Sequence, residues 1–240
     1  MMRSSNPVFR NIERSESYIG AESASYRGII SKTATLLITA VISGYLAISY
    51  IPVETLYPLL IVSLIVALVS VIVASVSPRL AMPFALLYAL SEGVLLGVIT
   101  ILINTIYPGV AVAAVIGTAS IFTVMLFLYS SRTIRVTSRF RKIMYSVLLS
   151  FLVFFIVFGL LGLFSSNISL SEPMALGITG ILIIFGALML TLDFDRAEMI
   201  VESGADKSYE WVVAVGLMVT IVWIYIELLR FLAILASRRN

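Results

Sequence analysis

The sequence predicts an all-α membrane protein with seven transmembrane helices, and three observations support that prediction. The chain is 60% hydrophobic and only 12% charged, which is about half the charged share of soluble domains. Its apolar residues come in runs of about twenty, the length of helix that crosses a bilayer core of roughly 30 Å. The runs are continuous rather than alternating, as barrel strands would be, and an open sheet would leave backbone groups unpaired in lipid.

Seven apolar segments follow one another along the chain. They are Thr33–Ile51, Leu56–Val76, Met82–Asn104, Gly109–Tyr129, Ile143–Phe164, Pro173–Asp193 and Val212–Leu235. Most connections are short, so neighbouring helices are antiparallel and form one domain, residues 32–240, behind a polar tail, residues 1–31. The sixth segment has no helix breaker before Gly204, so we expect its helix to continue to about Glu202.

Basic residues alternate along the chain in a way that predicts the orientation. Lysine and arginine occur in the N-terminal tail and in the second-to-third, fourth-to-fifth and sixth-to-seventh loops, whereas the other loops have none. We therefore expect a multi-pass protein of the plasma membrane, and the positive-inside rule places its N-terminus in the cytoplasm. Arg238 and Arg239 break the rule if the last segment spans the membrane, which its length favours. The basic fourth-to-fifth loop is explained by topology and lipid headgroups rather than by nucleic acid.

Several classes of function are excluded by what the chain lacks. It has no cysteine and no histidine, so it has no disulfide framework, no thiolate metal site and no ordinary near-neutral titrating group. We find no phosphate-binding loop, no nucleophile elbow and no intramembrane protease motif. The sequence therefore predicts a protein that is not an enzyme and that holds no permanently bound cofactor.

Acidic residues in apolar surroundings are the candidate functional groups. They are Glu92 in the third segment, Asp193 and Asp195 at the end of the sixth, and Glu227 in the seventh. A carboxylate at mid-membrane costs about 2.5–3.5 kcal/mol on insertion scales, so such groups face the interior, pair or line water. An interfacial position for the aspartates, a structural hydrogen bond for Glu92 and an ion pair of Glu227 with Arg230 remain open. An excess of buried acids favours cations or protons in the interior.

The end of the sixth helix directs its acids to different sides. Helical spacing places Asp195, Glu198 and Glu202 on one face, and Asp193 points in another direction. We therefore expect only one of the two aspartates to face the core. Asp206 or Ser208 is the expected cap of the seventh helix.

Four stretches carry a resemblance to a known family. They are "SSNPVF" near the start, "EGVLLG" in the third segment, "LDFD" closing the sixth and "YEWVVAVGLMVTIVWIYIELLRFLAIL" in the seventh. Together with the seven-helix plan, they resemble the Bax inhibitor-1 family, also called the transmembrane BAX inhibitor motif family, and its larger bacterial branch. The resemblance implies six helices around a central seventh and a pH-sensitive calcium leak.

The resemblance also implies site residues. In short bacterial relatives, one aspartate late in the sixth helix and one in the seventh close the pore by sharing a proton. The first matches Asp195, with Asp193 as the alternative, and Thr220 stands where the second would be. Glu92 is then the expected partner of Asp195, and Glu227 a second site toward the outer side. Asp195 and Asp193 are possible calcium ligands, because carboxylate oxygens suit hard cations.

Two functions follow from these observations. The first is a pH-sensitive cation leak, with calcium as the permeant ion, gated because two carboxyls close together in low dielectric cannot both ionise. The alternative is a membrane-embedded regulator that binds other membrane proteins, such as a membrane protease, without conducting ions.

Overall fold

The computed structural model describes residues 23–164 and 171–238, and these residues are almost entirely helical. Seven helices in this part of the chain are long and apolar enough to cross a membrane, which confirms the predicted fold class. They are α1 (Tyr26–Tyr50), α2 (Val53–Val76), α3 (Ala81–Ile106), α4 (Val110–Ser130), α5 (Ser138–Phe164), α6 (Glu172–Glu202) and α7 (Tyr209–Ser237). A short 3-10 turn, Pro78–Leu80, joins α2 to α3.

Helix α7 is the centre of the bundle. It packs against α1, α2, α3, α4 and α6, and 61% of its most apolar stretch is buried, against 6% for α5. Helix α5 lies at the periphery and contacts α6 through large side chains such as Phe151, whose ring centroid is 5.1 Å from that of Phe185. A central α7 is therefore confirmed, but five helices rather than six pack against it, and α5 lies outside them against α6.

Glycines bring α1 and α3 into close contact. A Cβ atom at Gly97 would lie 2.8 Å from the Cα of Gly44, and one at Gly93 would collide with the backbone of Ala40. The Ser43 hydroxyl donates to the carbonyl of Leu90 across the same interface. Small residues thus allow backbone contact between these helices, as is common in membrane bundles.

Helix α1 begins earlier than the hydropathy predicted. The first segment was expected from Thr33, but the helix starts at Tyr26, and the Ser25 side chain caps it by accepting from the Gly28 N–H. The predicted boundary between residues 31 and 32 therefore lies inside this helix, and the division of the chain into a tail and a membrane domain stays a prediction. Residues 1–22 lie outside the described residues, so the cytoplasmic tail stays a prediction.

The end of α6 and the cap of α7 lie where the sequence predicted them. Helix α6 continues to Glu202, and Gly204 has a φ of 65°, the left-handed conformation that ends helices at glycine. Helix α7 follows at Tyr209, with Ser208 at its cap position and its amide donating to Asp206 Oδ1 at 2.8 Å. At its other end, Arg238 approaches Glu172 at 3.7 Å, so α7 runs the full height of the bundle.

One end of the bundle, which we call the basic end, carries most of the described charge contacts. Here α1, α5 and α7 begin, and α4 and α6 end. Lys32, Arg132 and Arg141 lie at this end, each paired with a carboxylate. The backbone amide of Ala24 also donates to the carbonyl of Ala205 at 2.8 Å, which ties the start of α1 to the α6–α7 connection.

Candidate functional site

Asp193 and Thr220 form a direct contact between α6 and the central helix. The Thr220 hydroxyl donates to Asp193 Oδ2 at 2.6 Å, and Thr220 is buried. Asp193 lies nine residues before the end of α6 at Glu202, which is about 14 Å along the helix. The contact is therefore inside the bundle. We call it the latch.

Small and apolar residues surround the latch. A Cβ atom at Gly216, one turn before Thr220, would lie 3.7 Å from Asp193 Oδ1, so the glycine gives the carboxyl room beside α7. The neighbours Leu192 and Phe194 are buried, and Arg196 lies within electrostatic reach. Asp193 is thus a carboxyl in a mostly apolar setting, with a hydroxyl as its close polar partner.

Asp195 takes a different role from the one predicted. Its Oδ2 accepts from Arg141 Nη2 at 2.6 Å, so the side chain faces α5 and not α7. Side chains two residues apart on a helix are rotated by about 200° about its axis, so they point to nearly opposite sides. The structure therefore places the alternative, Asp193, and not Asp195 against the central helix, and a gating role for either residue stays a prediction. The two aspartates do not share a site where they could bind one calcium ion.

Glu198 completes the acidic face of α6. Its carboxylate accepts from the Tyr129 hydroxyl and from Arg132, whose Nη2 lies 2.5 Å from Oε1. With Asp195, it attaches the end of α6 to the basic α4–α5 connection. Helical spacing predicted that Glu198 and Asp195 share one face, whereas the basic residues after α4 were expected to contact lipid headgroups. The opposite charges of the two segments were the available signal that they contact each other.

Glu92 does not partner Asp195. It is half-buried in α3, and α3 and α6 share no substantial packing interface. Tyr88, one turn before it on the same helix, lies within electrostatic reach of its carboxyl. The predicted Glu92–Asp195 pair is thus contradicted, because the helices carrying the two residues lie on different sides of α7.

Glu227 lies deep in α7, two turns beyond Thr220. Its Oε1 is 3.7 Å from Arg230 Nη1, the structural pair that the spacing allowed. Its Oε2 is buried and has no hydrogen-bond partner among the described residues, and the same holds for Trp223 Nε1 one turn before it. A donor and an acceptor, both buried and without partners among the described residues, form a second polar position on α7, separated from the latch along the helix.

Glu210 is a buried acid that the sequence analysis missed. It is 1% exposed, and it forms an ion pair with Lys32 at 2.6 Å and accepts from the Ser25 amide at 2.8 Å. A Cβ atom on Gly28 would collide with its carboxyl group. The available signal was Lys32, a base directly before the first apolar segment, but nothing in the sequence named its partner.

Two charged groups outside the spanning segments have shifted pKa values. Hydrogen bonds from Ser208 hold the pKa of Asp206 below its usual range. The hydrogen bond to Glu198 raises the pKa of the Arg132 guanidinium further. Both groups therefore stay charged near neutral pH, and neither can supply a pH response there.

No cluster of three or more acidic side chains that would hold a metal ion exists in the described segments, residues 23–164 and 171–238. Among these residues the Asp193 carboxylate therefore belongs to no closed metal cage, since bound calcium takes six to eight oxygen ligands.

The model of a family described as Bax inhibitor 1 like matches residues 6–237, which is nearly the whole chain. A comparison with curated proteins found no match.

Proposed function

The chain belongs to the Bax inhibitor-1-like family, and from that membership and the latch geometry we propose that it is a pH-sensitive cation leak with calcium as its permeant ion. The leak passes along α6 and α7 and involves no catalysis.

The observation that carries the proposal is the 2.6 Å hydrogen bond from Thr220 to Asp193. It joins Asp193, the alternative match for the first of the two aspartates that close the pore of the short bacterial relatives, to Thr220, which stands where the second would be. Here one of the two is a threonine. The contact is retained, but the pair has one titratable group instead of two.

A single acid gives this latch its own pH behaviour. When Asp193 is ionised, its carboxylate accepts from Thr220 and attracts cations; when it is protonated, it attracts them weakly. A hydroxyl can both donate and accept, so the hydrogen bond can persist in either state. We therefore expect cation flux to fall as pH falls and Asp193 takes up its proton, without the steep change of two acids that share one proton.

Glu227 gives the path a second acidic position. It lies seven residues beyond Thr220, about 10 Å further along α7. Its unpaired Oε2 and the nearby Trp223 N–H supply an acceptor and a donor for a hydrated ion that leaves the latch toward the end opposite the basic end.

The proposed location is the plasma membrane, and in the proposed orientation the basic end faces the cytoplasm. Lys32, Arg132 and Arg141 lie together at that end, in agreement with the positive-inside rule. Arg238 at the other end approaches the carboxylate of Glu172, which offsets the charge that the rule disfavours there.

The test compares two aspartates two residues apart. Purified protein is reconstituted in liposomes, and calcium entry is recorded with a trapped indicator from acidic to alkaline pH. D193N keeps an oxygen that accepts from Thr220 but removes the charge, so we expect a low, flat pH profile. D195N is the matched control and should keep the wild-type profile. Equal profiles for D193N and the wild type would overturn the proposal.

The regulator function stays a prediction, and a deletion of the N-terminal tail tests it. A deletion reaching Ser31 would remove the Ser25 cap and the first turn of α1. The deletion should therefore end at residue 22. A leak that resides in the bundle keeps its calcium flux after this deletion, whereas loss of flux would show that the tail is required.

A further inference from the structure

A long apolar groove opens sideways between α1 and α4. The two helices share no substantial packing interface, and the space between them is a cavity of about 1050 Å³ with residues of α3 and α7 at its floor. Neither Asp193 nor Thr220 lines it. The groove is therefore separate from the latch.

The groove has the height of a bilayer core. Its lining extends along α1 from Tyr26 at the basic end to Ile48 near the other, which is about 33 Å of helix against a hydrocarbon core of roughly 30 Å. Most lining residues are apolar, and the central helix contributes Leu217, Ile221 and Val222. An apolar space that opens toward hydrocarbon over its full height suits an acyl chain.

The mouth at the basic end carries both signs of charge. Arg132 and Glu198 line it together with the hydroxyls of Tyr26 and Tyr129. The Arg132 side chain is 60% exposed, so part of its guanidinium faces outward although it pairs with Glu198. Glu202 lies within electrostatic reach of Tyr26 and Arg132. Arg132 and Glu198 thus line the opening, and Glu202 lies near them.

This pattern selects among headgroups. A phosphate matches the outward N–H groups of an arginine, and an ammonium matches the carboxylates beside it. A headgroup with a net negative charge would meet two acids for one base. A quaternary ammonium has no N–H with which to donate to a carboxylate.

We propose that the groove is a binding site for a phospholipid with a phosphoethanolamine headgroup. The phosphate contacts Arg132, the ammonium contacts Glu198 and Glu202, and one acyl chain lies in the groove against α7. The lipid thereby covers the side of the central helix that α1 and α4 leave open.

The experiment measures lipids retained by the full chain in native mass spectrometry. The protein is exposed to equal amounts of phosphatidylethanolamine, phosphatidylglycerol and phosphatidylcholine. We expect preferential retention of phosphatidylethanolamine, and about a tenfold loss in R132Q, the effect of one lost charge-assisted hydrogen bond. Equal retention of the three lipids would overturn the headgroup assignment.

Two alanines of α4 test whether the groove holds the acyl chain. Ala119 lines the groove, and Ala113 is exposed on the same helix outside it. A119W should fill the space and abolish the preference, whereas A113W should retain it. Retention by A119W equal to that of A113W would contradict the proposal.

A second readout does not depend on the bulky substitution. The chain has two tryptophans, so the variant W211F/W223F/I221W carries a single one at the groove floor. Phosphatidylethanolamine with brominated acyl chains should quench its fluorescence more than brominated phosphatidylglycerol at equal concentration. Equal quenching by both lipids would count against a specific site.

Discussion

Replacing Thr220 with valine removes the hydroxyl of the latch and keeps the shape of the side chain. Thr220 is buried and donates to Asp193 at 2.6 Å. A hydrogen bond to a charged group contributes about 1.5–3 kcal/mol, and each 1.4 kcal/mol is about tenfold in an equilibrium. If the bond forms only in the closed state, T220V raises the ratio of open to closed protein roughly 10- to 100-fold.

The assay is the initial rate of calcium entry into proteoliposomes per reconstituted protein, at fixed pH and membrane potential. As long as the open state is a minority, the rate should rise by the same factor. T191V is the matched control, because Thr191 is fully buried beside Asp193 on α6 but donates to Leu188 of its own helix at 2.7 Å. A T220V rate equal to that of T191V, with both proteins folded, would refute the role of the hydroxyl.

Three further predictions test the pH response, the Glu210 ion pair and the helix packing. T220D introduces a second acid into the latch, so calcium flux at neutral pH should fall and its pH dependence should steepen, because two close carboxyls share a proton; an unchanged profile would count against the latch. K32M leaves Glu210 buried without its base and should lower the free energy of unfolding by about 3–5 kcal/mol, and K32M/E210Q should regain part of that loss in thermal unfolding; a double variant as unstable as K32M would contradict the ion-pair account. G97L should lower the melting temperature because a Cβ there meets α1 backbone, whereas G159L, in open space on α5, should not.

The fold was predictable because lipid imposes a simple rule on the sequence. Each helix must cover the bilayer with apolar residues, so hydropathy located all seven, and Gly204 located the end of α6. The rule is weaker where a helix extends beyond the hydrocarbon. Residues 26–31 include Arg27 and were assigned to the tail, yet they are helical. Ser25 caps this helix, and the side chains of Ser25 and Lys32, on either side of these residues, both contact Glu210 of α7.

The site was only partly predictable, because the sequence does not give the rotation of each helix about its own axis. Helical spacing showed that Asp193 and Asp195 face different ways, but it does not reveal which side of α6 faces α7. That depends on how α6 packs, and the packing is set by distant contacts such as Asp195 with Arg141. Glu92 failed as a partner for a related reason: depth along a helix can be counted, but neighbours around a bundle cannot.

The most direct test of the latch is to lock it covalently. The chain has no cysteine, so D193C/T220C places one thiol on α6 and one on α7 without competitors, and thiol labelling reports whether the bond has formed. Calcium flux should be blocked when the pair is oxidised and should return on reduction, because the bond holds α6 against α7. Oxidised protein that conducts calcium as fast as the reduced protein would show that the path does not depend on this contact.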